Sequence, residues 1–130
     1  MLRHYGFTRP AYNSAMTFLD MLSAAEQRNA SMLCVGLDPE PKRFPQGMKD
    51  DAGRIYDFCA AIVDATTDLV SAFKPQIAYF AAHRAEQQLE RLIAHIRRSA
   101  PGVPVVLDAK RGDIGDRKST RLNSSHLVIS

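Results

Sequence analysis

Residues 107–115 hold the residue types best suited to chemistry in this sequence, because two carboxylates flank one lysine there. Asp108 and Lys110 are two positions apart, and Asp113 follows Gly112. Side chains alternate along a strand, so Asp108 and Lys110 are predicted to point to the same face. Neighbouring carboxylates favour the ammonium form of Lys110, which suits a proton donor better than a Schiff-base nucleophile. The alternative is an ordinary solvated ion cluster.

Two more charged residues follow short apolar segments of the kind that form buried strands. Asp38 comes directly after residues 32–37, and Lys74 comes after Ala72 and Phe73. In parallel α/β folds the carboxyl ends of the strands meet at one edge of the sheet, where catalytic groups collect. Asp38 also precedes a proline, which is typical of a turn, and Lys74 could equally be a solvated lysine at a strand end.

The elements that must position these residues alternate along the chain between helix and strand. Thr17 and Asp20 form a capping-box pattern, which predicts the start of a first helix. Apolar residues recur at helical spacing over residues 51–69 and 81–98. Short apolar segments that predict strands begin near Met32, Ala72 and Val103. This alternation favours a parallel α/β sheet or barrel over an α+β fold.

The two ends of the chain lack these patterns. Residues 1–15 show no clear periodicity, and we expect a non-native or disordered extension there. Residues 117–130 begin polar, contain no acid and are expected to form a disordered, foreign-looking tail. The folded part is therefore predicted to span residues 16–116.

Composition excludes several classes of function. Five of the 17 basic residues lie in the two acid-free ends, so 12 basic residues face 14 acidic ones between them, which argues against a nucleic-acid partner. Cys34 and Cys59 form no ligand pattern with a histidine, which predicts no metal site and two buried free thiols. The sequence has neither a long apolar segment nor a secretory signal, so we expect a cytoplasmic protein with no membrane partner.

Three short motifs resemble the orotidine 5′-phosphate decarboxylase family. Residues 108–115 (DAKRGDIG) are similar to the family signature, residues 73–76 (FKPQ) to its second-strand lysine segment, and residues 36–39 (GLDP) to the end of its first strand. Residues 40–45 (EPKRFP) resemble the longer first loop of its bacterial branch. The resemblance implies a (β/α)₈ TIM barrel of which this chain holds roughly the first three β/α units.

The resemblance also implies a reaction and a set of roles. The family removes carbon dioxide from orotidine 5′-monophosphate (OMP) without a cofactor and yields uridine 5′-monophosphate (UMP) for pyrimidine synthesis. By this similarity Lys110 protonates the pyrimidine C6, Asp108 lies near the departing carboxylate, and Lys74 holds Asp108 and the ribose. Asp38 would bind the ribose hydroxyls, and Asp113 would reach the partner subunit's site in a homodimer.

The sequence departs from the family after residue 115. Asp116 and Arg117 stand where the family usually has a small or amide residue and a threonine, and the tail resembles translated adapter sequence. A full barrel needs about 200 to 250 residues, so we expect little activity from these 130 residues alone. Open sheet edges are expected to favour aggregation.

The sequence leaves two other functions open. One is a magnesium-dependent decarboxylase or aldolase of the same superfamily that acts on keto-sugar phosphates. That branch tends to have an acidic residue where Lys74 stands, so Lys74 argues against it. The other is a non-functional fragment or a small binding module.

Overall fold

The computed structural model describes residues 16–109 and 126–129 and consists of helices alternating with strands. The four strands are β1 (Cys34–Leu37), β2 (Ala72–Pro75), β3 (Val105–Asp108) and β4 (His126–Ile129). The four α-helices are α1 (Phe18–Asn29), α2 (Ile55–Thr66), α3 (Ile77–Ala82) and α4 (Glu86–Ser99). Short 3₁₀ turns at Pro41–Arg43, Gln46–Met48 and Ala52–Arg54 occupy the connection between β1 and α2.

Strands β1, β2 and β3 form a parallel sheet in chain order. The β1–β2 register pairs Cys34 with Ala72 and Gly36 with Lys74, and Phe73 pairs with Val105 across the next interface. The predicted α/β class and the three predicted strands are confirmed. Chain order with helical crossovers is the arrangement of consecutive strands in a (β/α)₈ barrel, and the fold is part of such a barrel.

Helix α1 begins where the sequence predicted. The Thr17 hydroxyl accepts a hydrogen bond from the Asp20 amide, and the Asp20 carboxylate accepts one from the Thr17 amide at 3.0 Å, which completes the capping box. The helix ends at Asn29, and the next residue, Ala30, caps it with a left-handed φ of 46°.

The core lies between the helices and one face of the sheet. Leu37, Phe73 and Leu107 point from β1, β2 and β3 into this layer, where each is at most 4% exposed. Helices α2 and α4 cover them with fully buried aliphatic side chains: Ile55, Val63, Leu92 and Ile96. Because strand side chains alternate, the residues between these positions lie on the opposite face of the sheet.

The helix predicted over residues 81–98 is wrong in its first part. Helix α3 ends at Ala82 and α4 begins at Glu86, because Arg84 adopts a left-handed φ of 52°. The Ala85 amide donates to the Phe80 carbonyl at 2.8 Å, and the Arg84 amide donates to the Ala81 carbonyl. These are the bonds of a Schellman motif, which normally has glycine at the left-handed position. No glycine marked this break in the sequence.

The prediction of a disordered tail fails for residues 126–129. They form β4, which pairs antiparallel with β3 from Asp108↔His126 to Val105↔Ile129. The edge of β3 presents backbone groups that need partners, and a short apolar segment of the same chain can supply them. Residues 1–15, 110–125 and 130 lie outside the described part, so the other predictions for the two ends stay predictions.

The expectation of two buried thiols is half right. Both cysteines are free, but only Cys59 is buried, in α2, whereas Cys34 is exposed. Cys34 lies on the sheet face opposite the helical layer, where it pairs with Ala72. In the part of the chain that the structure covers, no helix is long and apolar enough to cross a membrane.

Candidate active site

A lysine and an aspartate from adjacent strands meet where β2 and β3 end. The Nζ of Lys74 lies 3.8 Å from the Oδ2 of Asp108. The two residues are brought together by the parallel pairing of the strands, in which Asp108 forms a bridge with Gln76, two positions beyond Lys74. The flexible lysine stem reaches along its strand to the level of the carboxylate. The predicted convergence of Lys74 and Asp108 is thus present.

The burial of this pair is uneven. Asp108 is 4% exposed, whereas about a third of the Lys74 side chain (35%) reaches solvent. A buried carboxylate is costly unless cations or hydrogen-bond donors compensate its charge, and the Lys74 ammonium supplies one such partner. The site therefore combines a desolvated anion with a cation that a ligand can reach from the solvent.

Asp38 belongs to the same end of the sheet. It follows the last residue of β1 and is exposed. A Cβ atom placed on Gly36 would lie 3.9 Å from the Oδ1 of Asp38, and Gly36 pairs with Lys74. The Asp38 carboxylate thus projects beside the lysine position and is available to accept hydrogen bonds from a ligand.

Two of the predicted catalytic residues, Lys110 and Asp113, lie outside the described residues. The last described position before them is Ala109, directly after the end of β3. Their roles therefore stay predictions. Asp108, their neighbour in the motif, is the last residue of β3, which agrees with the predicted position of the motif at the carboxyl end of a strand.

The chemistry of this residue set favours a ligand that bears hydroxyl groups. No group of three His, Cys, Asp or Glu side chains within residues 16–109 is arranged to hold a metal ion. The carboxylate of Asp108 has an ammonium group beside it, and that positive charge opposes a divalent cation at the same place. A lysine and two aspartates can instead bind the hydroxyl groups of a ligand through charge-assisted hydrogen bonds.

The structure adds one residue that the sequence argument did not single out. Gln76 was noted only as the last letter of the FKPQ motif. In the structure its backbone amide donates to the carbonyl of Leu37 at 3.3 Å, and it bridges to Asp108 on the other side. The signal that could have found it is its alternation with Lys74, since positions 74 and 76 share one face of an extended strand.

His95 has partners that the sequence analysis did not predict for it. Its Nε2 lies 2.6 Å from the Oδ1 of Asp64 in α2 and 3.3 Å from the Oγ of Ser99 one turn further along α4. Because a carboxylate only accepts, Nε2 must carry the proton in this contact. The cluster joins α2 to α4 on the helical layer and is not part of the strand-end site.

Comparisons with known proteins agree on one family. A family model described as "Orotidine 5′-phosphate decarboxylase / HUMPS family" matches residues 31–119, more than half of the chain. Curated proteins named orotidine 5′-phosphate decarboxylase from Albidiferax ferrireducens and Paracidovorax citrulli are 80% and 77% identical over 100 residues. That alignment covers 77% of this chain but only 35% and 36% of those proteins. The chain thus spans about a third of the length of these relatives.

The fold of this chain is also similar to that of a solved structure. The OMP decarboxylase of Leishmania donovani matches with a TM-score of 0.55 and 38% sequence identity. The match covers 78% of this chain and 36% of that one.

Proposed function

Because the chain belongs to the orotidine 5′-phosphate decarboxylase / HUMPS family, we propose that it carries part of the active site of an OMP decarboxylase. One observation carries this proposal beyond the family: a buried Asp108 lies beside the Lys74 ammonium at the strand ends. In barrel enzymes the catalytic residues come from the carboxyl ends of the strands, and this charged pair lies there.

In the proposed reaction the carboxylate on the pyrimidine C6 is replaced by a hydrogen. The bond from C6 to the carboxylate breaks, carbon dioxide leaves, and the electron pair that stays on C6 takes a proton from the Lys110 ammonium. The products are UMP and carbon dioxide, and no electrons are gained or lost overall. The reaction needs no cofactor in this scheme.

Asp108 would accelerate the first step by repelling the substrate carboxylate. Two anions brought together in a desolvated site raise the energy of the bound substrate, and the repulsion fades as neutral carbon dioxide forms. The low exposure of Asp108 supports this role, because little water is available to screen its charge.

Lys74 and Asp38 would position the rest of the nucleotide. The Lys74 ammonium is 3.8 Å from the Asp108 carboxylate, and because its side chain is partly exposed it could also donate a hydrogen bond to a ribose oxygen. Asp38, exposed at the end of β1, can accept hydrogen bonds from ribose hydroxyls.

The assembly and location proposed for the protein come from the family. Asp113 would extend into the partner subunit's site, which makes a homodimer the working form. A pyrimidine nucleotide enzyme without a membrane or nucleic-acid partner would act in the cytoplasm.

The second candidate is a keto-sugar-phosphate decarboxylase or aldolase of the same superfamily, and the geometry disfavours it. A metal-dependent enzyme that acts on keto-sugar phosphates needs acidic oxygen ligands around its cation. Here the residue beside Asp108 is a lysine, whose charge repels a divalent cation.

The proposal is tested in a full-length barrel. The 100 aligned residues of this chain replace the matching segment of the A. ferrireducens relative, and the chimera is assayed for loss of OMP absorbance and release of carbon dioxide. We expect kcat/KM within about tenfold of the parent enzyme, unchanged by a metal chelator. A folded chimera that has lost more than about a thousandfold of the parent's activity would overturn the assignment.

The unmodified 130-residue chain gives a second test. A 6-substituted UMP analogue should raise its melting temperature if the strand-end site binds nucleotide, because a ligand that binds only the folded state stabilises it. Lys74→Ala and Asp38→Ala should each reduce the shift, whereas Lys49→Ala, which removes an exposed lysine of the β1–α2 connection, should leave it unchanged.

A further inference from the structure

The outer edge of β3 is occupied by a segment of the same chain. β4 pairs with every residue of β3, from Val105↔Ile129 to Asp108↔His126, and it runs antiparallel to β3. On its other edge β3 pairs in parallel with β2. A strand has two hydrogen-bonding edges, so β2 and β4 together take up both edges of β3.

β4 stands where the next strand of a barrel belongs. The fold is part of a (β/α)₈ barrel, in which each strand pairs in parallel with the one that follows it. The strand after β3 therefore needs the edge that β4 occupies. β4 cannot be that strand, because its direction is the opposite one. β4 and a fourth barrel strand are thus mutually exclusive partners of β3.

Apolar side chains are exposed where the first two strands begin. Leu33 directly precedes β1 and is 51% exposed, and Leu69 lies shortly before β2 and is 52% exposed. The two strand starts are joined by the Ser71 amide, which donates to the Leu33 carbonyl at 2.8 Å. Exposed apolar side chains that lie together mark a surface on which further polypeptide can pack.

The relatives indicate which polypeptide fits this edge and these side chains. The aligned segment makes up 35% and 36% of the A. ferrireducens and P. citrulli proteins. The rest of such a barrel supplies a parallel strand for the β3 edge and apolar side chains to pack against the strand starts. A covered β3 edge excludes that strand, since its backbone groups would find no partners.

We propose that residues 126–129 act as a built-in competitor, which closes the β3 edge against the fourth parallel strand of a family barrel. The partner that this edge takes is the remainder of such a barrel, and it pairs with β3 only after β4 has left. The attachment of β4 through residues 109–125 favours the closed state, because it raises the effective concentration of β4 at the edge. This inference concerns assembly and goes beyond the proposed decarboxylase function.

A fusion protein tests the proposal. The whole chain is followed by the part of the A. ferrireducens relative that lies beyond the 100 aligned residues, so that β4 competes with the relative's own next strand. We expect the fusion to decarboxylate OMP at least about tenfold more slowly than the tail-free chimera described above. Leu127→Pro combined with Val128→Pro removes two amides of β4 and should recover most of that loss.

A matched variant and a second measurement support the reading of that result. Leu122→Pro combined with Asn123→Pro places the same two prolines in the tail outside β4, and it should leave the activity of the fusion low. Hydrogen exchange reports the pairing without any assay of activity. The amides of residues 126–129 that face β3 should exchange slowly in the fusion and rapidly in the variant with prolines at 127 and 128.

The outcomes separate this proposal from the proposed function. When the tail-free chimera is active, equal activity of the fusion and its variant with prolines at 127 and 128 would overturn the role of β4. So would an equal recovery with prolines at 122 and 123, because the position of β4 would then be irrelevant. An inactive tail-free chimera would count against the decarboxylase function instead. The exchange measurement then decides alone, and rapid exchange throughout residues 126–129 of the fusion would overturn the proposal.

Discussion

The Nζ of Lys74 lies 3.8 Å from the Oδ2 of Asp108, although helices α3 and α4 separate the two residues along the chain. The contact exists because β2 and β3 run parallel and end at the same edge. It joins a nearly fully buried carboxylate to a cation that stays partly in water. The relationship places two predicted site residues in one charged unit.

This pair should behave as a unit in the chimera. Lys74→Ala and Asp108→Asn are each expected to lower kcat by about 100-fold or more, because a preorganised charge is lost from a desolvated site. The loss of kcat in the double variant should be much smaller than the product of the two single losses. Each single change already disrupts the same pair. Lys49→Ala serves as the control for loss of an exposed lysine. Fully multiplicative losses would mean that the two residues act independently.

The two thiols of the whole chain should react at very different rates with a disulfide reagent. Cys34 is exposed, although partial burial raises the pKa of its thiol while nearby Lys74 acts in the opposite direction. Burial and then the Asp38 carboxylate raise the pKa of Cys59 to about 12. We expect one thiol to react in the native chain, faster as the pH rises towards and above 9, and a second only after unfolding.

Cys34→Ala supplies the control for that assignment. The variant should show no rapidly reacting thiol until guanidinium chloride unfolds it. Rapid labelling of the native variant would mean that Cys59 is accessible, contrary to its burial in α2.

The start of α1 should be sensitive to acid. Hydrogen bonds from the Thr17 side chain and then its backbone lower the pKa of Asp20 below its ordinary value of 3.8. The folded chain therefore releases this proton more readily than the unfolded chain does. The stabilisation is fully present above pH 3.8 and is lost as the pH falls through the folded-state pKa. Amide exchange in the first turn of α1 should accelerate over that range.

Thr17→Ala should remove this acid response together with the cap. It should lower the free energy of unfolding by about 0.5–2 kcal/mol, which urea denaturation at neutral pH would measure. Ser23→Ala removes a hydroxyl from the exposed middle of the same helix and should cause little change. If both variants are equally destabilised, the cap is not the cause.

Strand β4 should protect the edge of β3 from solvent exchange. Adjacent residues of a strand direct their amides to opposite sides, so proline at both Leu127 and Val128 removes at least one amide that faces β3. Amides of Val105–Asp108 that bond to β4 should then exchange faster, while the amide of Phe73, which bonds to Pro104, should not change. Unchanged exchange throughout β3 would contradict the β3–β4 pairing.

The sequence was a good guide to elements whose causes are local. The Thr17–Asp20 capping box is read directly from residue types and marks the observed start of α1. The apolar strand segments were found because strands covered by helices need continuous apolar side chains. The sequence was a poor guide at Arg84, where a non-glycine residue adopts the left-handed conformation that ends α3. It was also a poor guide at β4, because the pairing of that strand depends on the edge of β3.

What the sequence alone determined is the set of reactive residue types and the order of the strands that carry them. Local spacing fixes which residues share a face, so residue types and spacing singled out Asp108. Lys74 and Asp38 were nominated by the resemblance of their motifs to the family. The tertiary structure decided how deeply each is buried and which are neighbours, because strand register and helix packing join residues far apart in the chain. That is why the Lys74–Asp108 contact and the place of Gln76 between β1 and β3 became visible only in the folded chain.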